Sequence, residues 1–330
     1  MSDEAIPSAA LPLAARAPGK CILFGEHAVV HERPELVLAI DLPVQVGVKV
    51  AERGSLNGDP DAATTHPYLR TALATCWEGG PPLLVRVHSR VPRAAGLGSS
   101  AAFSSALVAA LSAARGGISR TELARRAFAV ERTAQGVGSP GDTAAAVGGG
   151  YLSINGPGGA EVFDYIDGSR RWTARRVRDP SWTWVVAYSG VPRRTADAVR
   201  AVGLRLQQPD GPALLDEFAR IASAGIRAVE SEDRAEVGRL LDENQELLGT
   251  VGVSHPRLEA MLAAARPAIV GGKLTGAGAG GSVVALPQPG RELDAARRIA
   301  RAGGLPFVVR PELHGASLVA EPETPPPSDE

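Results

Sequence analysis

The stretch Pro92-Arg-Ala-Ala-Gly-Leu-Gly-Ser-Ser-Ala-Ala102 joins a predicted strand to a predicted helix. An alternating apolar run, Leu83 to Val87, precedes it, and an Ala/Leu/Ser-rich segment, Ser99 to Arg115, follows it. Glycine lets the backbone approach a ligand closely, and the first N–H groups of a helix have no partner within the helix. Because the helix dipole adds positive charge there, these groups favour an anion such as a phosphate. An ordinary strand-to-helix turn capped by Ser99 is the alternative.

Size and composition are typical of an enzyme-sized globular protein. The chain has 330 residues, enough for two domains, and its hydrophobic fraction is 44%. A formal net charge of −1 and an aromatic content of 4% argue against nucleic-acid binding. No apolar run has the length of a membrane helix, so we expect no membrane partner. The two cysteines, Cys21 and Cys76, form no CxxC pair, which favours a reducing, cytoplasmic location.

The two halves of the chain differ in pattern. In the first half, several short strands are predicted between Leu13 and Val50, and Gly156 to Gly159 is typical of a hairpin turn. Ser119 and Glu122 have the spacing of a capping box, which predicts a helix to Gln135. The second half predicts a small antiparallel sheet covered by helices. Its helices are predicted at Thr195–Gln207, Pro212–Glu230, Arg234–Leu248, His255–Ala265 and Arg291–Arg301, and its strands at Trp182–Tyr188, Ser282–Leu286, Phe307–Arg310 and Ser317–Val319.

Two more familiar kinds of site are disfavoured. The loop at Gly96 matches the dinucleotide-binding pattern in letters, but the region about 20 residues further on predicts a helix instead of the required strand with its acidic residue. His27 and His31 have the spacing of zinc-protease histidines, yet Ala28 stands where such a site needs glutamate. We therefore expect neither a dinucleotide fold nor a zinc site.

Three charged side chains become informative only as a set. Taken singly, Lys20 is typical of a snorkelling surface lysine, Glu131 of a solvated ion pair, and Asp142 of a helix N-cap. A kinase must hold a triphosphate, bind Mg²⁺ through a carboxylate and a hydroxyl, and orient an acceptor hydroxyl. Three glycine loops, a serine at a helix start and these three side chains supply those parts.

The motifs resemble those of the superfamily of galactokinase, homoserine kinase, mevalonate kinase and phosphomevalonate kinase. The resemblance covers about residues 16–320 and is closest to the mevalonate kinase branch. The three ordered superfamily motifs are Ala17-Pro-Gly-Lys20, Pro92 to Ala102 and Lys273 to Gly281. The segments that point to the branch are Lys20-Cys-Ile-Leu-Phe-Gly-Glu-His-Ala-Val-Val30, Val191-Pro-Arg-Arg-Thr195 and Gly252-Val-Ser-His-Pro256.

This resemblance implies an α+β fold, that of a two-domain small-molecule kinase. The N-terminal ATP-binding domain would be a ribosomal-protein-S5-like α/β domain, and the C-terminal domain would be ferredoxin-like α+β. The implied reaction transfers phosphate from ATP to the primary hydroxyl of mevalonate, with Mg²⁺, in isoprenoid precursor biosynthesis. Relatives also suggest a homodimer. The expected segments are a flexible N-terminus over 1–12, domains over 13–180 and 181–320, and a disordered tail over 321–330.

The resemblance also assigns roles to individual residues. Asp142 would accept the proton of the acceptor hydroxyl, and Lys20 would pair with Asp142. Glu131 would bind Mg²⁺ with a serine hydroxyl, either that of Ser99 or, as we expect, that of Ser100. The phosphates would contact Gly96, Leu97, Gly98, Ser99, Ser100, Ala101, Gly276 and Gly278. The acceptor would contact Glu26, His27, Arg193 and Thr195.

Departures from the family pattern leave alternatives open. The aspartate loop reads Gly138-Ser-Pro-Gly-Asp-Thr143, where many relatives have Pro-Ser-Gly-x-Asp, so the choice of acceptor is less constrained. A kinase acting on phosphomevalonate, homoserine or a sugar is one alternative. A non-catalytic, ligand-sensing relative is another, and the intact Lys20, Glu131 and Asp142 argue against it. The lysine-led first motif disfavours the related diphosphomevalonate decarboxylase.

Overall fold

The computed structural model describes residues 5–136, 138–168, 170–192 and 195–320. The strands in these ranges are β1 (Leu13–Phe24), β2 (Glu35–Val50), β3 (Ser55–Leu56), β4 (Leu83–Ser89), β5 (Tyr151–Ile154), β6 (Glu161–Asp167), β7 (Arg170–Val177), β8 (Trp184–Tyr188), β9 (Ile269–Thr275), β10 (Ser282–Pro287), β11 (Leu305–Val309) and β12 (Ser317–Val319). The helices are α1 (Ala62–Thr65), α2 (Pro67–Cys76), α3 (Ser99–Ala113), α4 (Arg120–Gln135), α5 (Gly141–Gly148), α6 (Thr195–Arg205), α7 (Gly211–Glu230), α8 (Arg234–Thr250), α9 (Pro256–Ala265) and α10 (Glu292–Arg301).

The first sheet is organised around β2, which is long enough to pair with three other strands. β2 pairs with β1 along most of its length, while its first residues pair with β5 and its last with β4. The order is β12-β1-β2-β5-β7-β6, with β4 on β2 and β3 on β4. All these pairs are antiparallel except β3 with β4. The several short strands expected between Leu13 and Val50 are therefore two long ones, and a register shift at Pro18 and Gly19 lets β1 continue past its proline.

The hairpin expected at Gly156 to Gly159 is wrong. β5 pairs with β7 instead of with the next strand, β6, so the chain crosses to the sheet edge before it returns. β7 was not recognised in the sequence because its arginines hide the strand pattern. Trp172, Ala174 and Val177 of this strand are nevertheless fully buried.

Helix α3 lies in the middle of the N-terminal layers. Every residue from Ala101 to Ala113 is buried, because its alanines and serines allow close packing against β1, β2 and its helical neighbours. Helix α4 begins as its capping box predicts, with the Glu122 N–H donating to the Ser119 hydroxyl at 3.2 Å. Within the predicted N-terminal segment 1–12, Ile6 is buried and its backbone pairs with Ile118.

The second sheet is antiparallel, in the order β11-β8-β10-β9, and the helices α7 to α10 accompany it. Helix α8 covers the free edge of β9, where Asp242 Oδ1 accepts from the Gly272 N–H at 2.9 Å and Gln245 Oε1 accepts from the Leu274 N–H at 2.8 Å. The last strand, β12, was expected to complete this sheet. It returns instead to the first sheet and pairs with β1.

Across the part of the chain that the structure describes, no helix is both long and apolar enough to cross a membrane.

Candidate active site

Lys20 is held inside the protein at the end of the first motif. Its side chain is only 2% exposed, and its ammonium group lies 2.9 Å from Asp142 Oδ1. The ammonium also donates to the Gly96 carbonyl at 3.3 Å, and the Lys20 N–H donates to the Leu97 carbonyl at 2.9 Å. The snorkelling interpretation of Lys20 is therefore wrong, because the residue joins strand β1 to the glycine loop and to α5.

The glycine loop is shaped around this lysine. Gly96 and Gly98 have φ angles of +78° and +76°, in the left-handed region that favours glycine. A Cβ atom at Gly98 would lie 2.7 Å from Lys20 Cγ. Ser99 is the first residue of α3, whose N-cap is Gly98 and has no side-chain hydrogen bond, so the simple Ser99-capped turn is wrong. Leu97 and Ala101 are enclosed in the core, at 1% and 0% exposure.

Glu131 faces α3 from α4 and lies in a network of hydroxyl and amide groups. Ser104 Oγ donates to Glu131 Oε1 at 2.8 Å, and Ser100 Oγ donates to Glu131 Oε2 at 3.2 Å. Gln135 Nε2 donates to the same Oε2 at 2.8 Å. Burial raises the pKa of Glu131 to about 7, although the Ser104 hydrogen bond opposes the rise, and the charge of Asp142 adds to it. Glu131 is only 8% exposed, so the solvated ion pair is wrong.

Asp142 is the second residue of α5 and does not cap it. The N-cap of α5 is Pro140, with no side-chain hydrogen bond. The Asp142 carboxylate pairs with Lys20 and remains 37% exposed, so it is open to a ligand from one side. The helix-cap interpretation of Asp142 is therefore wrong.

Six of the predicted site residues face one cavity of about 420 Å³, whereas the glycine loop over residues 96–101 and Gly278 are not part of its lining. Its lining includes the predicted site residues Lys20, Glu26, His27, Glu131, Asp142 and Gly276. Helix α6 closes one side through Val199 and Val202. Arg193 lies outside the described residues, and for Thr195 the structure describes only its place as the first residue of α6. The structure thus brings the first motif, the two carboxylates and the third glycine loop to one space.

Glu26 forms an ion pair that the sequence did not predict. Its Oε1 accepts from the ammonium group of Lys273 on β9, and the two side chains are 1% and 0% exposed. Lys273 also donates to the Leu274 carbonyl at 2.6 Å, and burial lowers the pKa of Lys273. Removing one member of such a pair leaves an uncompensated charge in the interior. The pair therefore connects the first motif firmly to the second sheet.

His27 occupies a strained position beside the third loop. Its φ angle is +63°, and its Nε2 lies 3.2 Å from the Ala277 carbonyl. His31 lines the same cavity, and burial lowers its pKa. Among the residues described, no three His, Cys, Asp or Glu side chains are grouped as metal ligands.

The third glycine loop is supported by the segments that resembled later family motifs. Gly278 has a φ of +75°, and a Cβ atom there would lie 2.4 Å from the Val253 carbonyl oxygen. The Ala279 N–H donates to that same carbonyl at 2.7 Å, and the Gly281 N–H donates to the Val191 carbonyl at 2.9 Å. These contacts hold the loop against the segment between α8 and α9 and against the segment that follows β8.

Several side chains at the site were missed in the sequence. Ser104 and Gln135 lie four residues after Ser100 and Glu131, the helical spacing that places side chains on one face, so this signal was available. The pairing of Lys273, the first residue of the third motif, with Glu26 gave no such signal, because the two residues are 247 positions apart along the chain. Glu35 was read only as part of a strand region, yet it is buried and lines the cavity.

Comparisons with known proteins agree with this geometry. The model of the GHMP kinases N terminal domain matches residues 67–150, and that of the GHMP kinases C terminal matches residues 226–304. A mevalonate kinase of Methanothermobacter thermautotrophicus is 35% identical over 285 residues, which is 82% of this chain and 89% of the relative. The chain belongs to the mevalonate kinase family of GHMP kinases. A further family member, from Archaeoglobus fulgidus, is 32% identical and covers 82% of this chain and 91% of its own.

Solved structures show how far the mevalonate kinase fold extends. The L. major mevalonate kinase in complex with R-mevalonate matches with a TM-score of 0.75 at 23% identity, over 93% of this chain and 99% of its own. A Streptococcus pneumoniae phosphomevalonate kinase matches with a TM-score of 0.74 at 17% identity, over 91% of this chain and 99% of its own. The predicted α+β, two-domain kinase fold is confirmed. Because enzymes with different names share it, the fold alone does not select an acceptor.

Proposed function

We propose that the chain transfers the terminal phosphoryl group of ATP to the primary hydroxyl of mevalonate, giving 5-phosphomevalonate and ADP. The observation that carries this proposal is the pair of Lys20 and Asp142, 2.9 Å apart, which opens into a cavity lined by Gly138 of the aspartate loop and Gly276 of the third glycine loop. Family membership supports the same choice, since relatives at 35% and 32% identity are mevalonate kinases.

Asp142 is the proposed base. A primary alcohol is a weak nucleophile, and a carboxylate within hydrogen-bond reach accepts its proton as the new oxygen–phosphorus bond forms. The bond between the transferred phosphorus and ADP breaks in the same step. The Lys20 ammonium holds the Asp142 carboxylate in place and stabilises negative charge on the attacking oxygen. Most of the acceleration in such a reaction comes from positioning and electrostatics.

The start of α3 is the proposed phosphate site. Its first N–H groups are free of helical partners, and the helix dipole favours an anion there. Ser99 and Ser100 are half-buried at this end and are therefore the hydroxyls available to the phosphates. Leu97 and Ala101 are enclosed, so they would shape the loop without exposing side chains to the nucleotide. Gly276, which lines the cavity, and Gly278 would close over the phosphates from the side of the second sheet.

Glu131 and Ser100 fit a magnesium ion that is shared with the nucleotide. Mg²⁺ in kinase sites takes one or two carboxylates and completes its shell with phosphate oxygens and water. The pKa of about 7 at Glu131 reflects a carboxylate buried among hydroxyl and amide groups, and a divalent cation would offset that cost. When bound, Mg²⁺ neutralises charge on the phosphates. Cytoplasmic location and assembly as a homodimer are further proposals, based on cysteine usage and on likeness to relatives respectively.

An ADP-release assay on the purified chain tests the acceptor directly. Mevalonate, phosphomevalonate, homoserine and galactose would be compared at equal concentration with ATP and Mg²⁺. We expect turnover with mevalonate that exceeds turnover with each of the others, and no turnover in the Asp142→Asn variant. Preference for another acceptor, or ATP binding without turnover of any of the four, would contradict the proposal.

A further inference from the structure

Glu35 is a buried carboxyl group in the wall of the acceptor cavity to which the proposed reaction assigns no role. It is the first residue of β2 and is only 1% exposed, yet it lines the cavity together with Lys20 and Asp142. Its carboxyl group lies against Gly141, the neighbour of Asp142. A Cβ atom at Gly141 would be 2.1 Å from Glu35 Oε2, so the carboxyl occupies the space that a larger residue would fill.

The Oε2 atom of Glu35 has no hydrogen-bond partner, although buried polar atoms in folded proteins nearly always have one. Burial raises the pKa of Glu35 well above its usual value, and the negative charge of Asp142 adds to the rise. Burial therefore favours the neutral form of Glu35, which can both donate and accept a hydrogen bond. The Oε2 atom of Glu26, in the same cavity wall, is also without a partner.

Neighbouring elements hold the backbone of Glu35 in place. Glu35 pairs with Ile154 in the sheet, and the turn at Gly25 packs so closely that a Cβ atom there would lie 2.6 Å from Glu35 Cα. A residue carried by such a rigid element is better suited to position a ligand than a residue in a loop.

Charges divide the cavity into two regions. The charged groups that influence Glu35 are Asp142, Lys20, Glu26 and Lys273, whereas those that influence His31 are Arg170 and Arg33. The carboxylate of an acceptor is attracted to the arginines, whereas the two carboxylates and two lysines near Glu35 offset one another in charge. The ligand group that suits Glu35 is therefore uncharged and able to hydrogen-bond, as a hydroxyl is.

We propose that Glu35 is a specificity-determining residue that hydrogen-bonds a second hydroxyl group of the acceptor, distinct from the hydroxyl that is phosphorylated. The inference rests on the proposed function, because mevalonate carries a tertiary hydroxyl as well as the primary one. Binding of this group would direct the primary hydroxyl towards Asp142. It would also select against acceptors that leave Glu35 without a partner.

The test compares two acceptors, mevalonate and the analogue in which hydrogen replaces the tertiary hydroxyl. The kcat/KM of each is measured for the full-length wild type, Glu35→Met and Glu35→Gln, with Glu246→Met as the control because Glu246 is an exposed residue of α8. Loss of one hydrogen bond to a buried group predicts a fall of about 10- to 100-fold for mevalonate in Glu35→Met, and less than about threefold for the analogue. Glu35→Gln keeps the size and the hydrogen bond, so both values stay within about threefold of wild type.

Equal losses on both acceptors in Glu35→Met would overturn the inference, since they indicate a structural role. If Glu35→Met does not fold, as judged by its thermal transition, the wild type and Glu35→Gln decide. A wild type that uses both acceptors equally well overturns the inference, and so does a Glu35→Gln variant that loses activity equally on both acceptors. These outcomes differ from failure of the proposed function, in which the wild type does not phosphorylate mevalonate at all.

Discussion

Replacing Gly98 by alanine tests whether the glycine loop and Lys20 form one unit. Two penalties arise from this single methyl group. The φ angle of +76° costs a residue with a side chain roughly 1–2 kcal/mol. The added Cβ atom would also lie 2.7 Å from Lys20 Cγ and 3.3 Å from Lys20 Cε, whereas ordinary carbon contacts are about 3.5 Å or longer. Lys20 must therefore move by several tenths of an ångström.

That displacement acts directly on the proposed chemistry. The Lys20 ammonium lies 2.9 Å from Asp142 Oδ1, and both groups would contact the reacting hydroxyl. A misplacement of about 1 Å in a catalytic arrangement can cost on the order of 100-fold in rate, so we expect kcat/KM for mevalonate to fall by about 10- to 100-fold.

The chain offers a matched control for the backbone penalty. Gly290, in the turn between β10 and α10, has a φ of +77°, and a Cβ atom there would meet nothing within 4 Å. Gly290→Ala should lower the free energy of unfolding by a similar backbone term while it leaves kcat/KM unchanged. The measurements are ADP release with mevalonate and thermal unfolding of both variants. If Gly98→Ala were as active as Gly290→Ala, the proposed coupling between loop and lysine would be refuted.

Three further predictions concern the charged groups. Asp142→Ala should abolish turnover while ATP still binds, as measured by ADP release and calorimetric titration with ATP. Glu131 has its pKa raised to about 7 in the folded chain, from its ordinary value of 4.5, so the folded state binds more protons in that range and stability falls as pH rises from 4.5 to 7. Glu131→Gln should remove about 3 kcal/mol of that change in the free energy of unfolding in nucleotide-free protein, measured by urea unfolding across pH. Lys273→Met leaves Glu26 as an uncompensated buried charge, so it should lower the free energy of unfolding by about 3–5 kcal/mol, measured with urea. The double variant with Glu26→Gln should recover much of that lost stability, because the unpaired charge is then removed.

Each of these predictions has an outcome that would contradict it. Near-normal mevalonate phosphorylation by Asp142→Ala would remove it from the role of base. An unchanged pH dependence of unfolding in Glu131→Gln would show that Glu131 is not the group that titrates near neutral pH. A Lys273→Met variant as stable as wild type would mean that the buried pair with Glu26 contributes nothing to the link between the two sheets.

The sequence predicted local features well where the signal was itself local. The capping box at Ser119 located the start of α4, and the amphipathic patterns located α7 to α10 within a few residues. Ala17-Pro-Gly-Lys20 and the glycine loops indicated the family because their residue types serve a specific chemistry. In all these cases neighbouring residues determine the structure.

Long-range pairing could not be read in the same way. β12 follows β11 in sequence, yet it pairs with β1, some 300 positions earlier in the chain, because that edge offers free hydrogen-bonding groups. The Arg-rich strand β7 resembled a polar segment until its partners were known. For Lys20 and Asp142, the single-residue interpretations failed because each side chain finds the other only after folding. Whether a charged side chain is buried depends on such partners, and a short window of sequence does not contain both members of the pair.

Because α8 covers the free edge of β9, copies of this chain are less able to pair with one another along that edge. A sheet edge with free N–H groups is a template on which another chain can add a strand. Here the Asp242 carboxylate and the Gln245 amide accept the outward N–H groups of Gly272 and Leu274, so those donors are already used. The approach is close, since a Cβ atom at Gly271 would lie 2.0 Å from the Gly238 carbonyl oxygen. The helix therefore protects this edge from intermolecular strand addition, and bulky substitutions at Gly238 or Gly271 would expose an aggregation-prone strand.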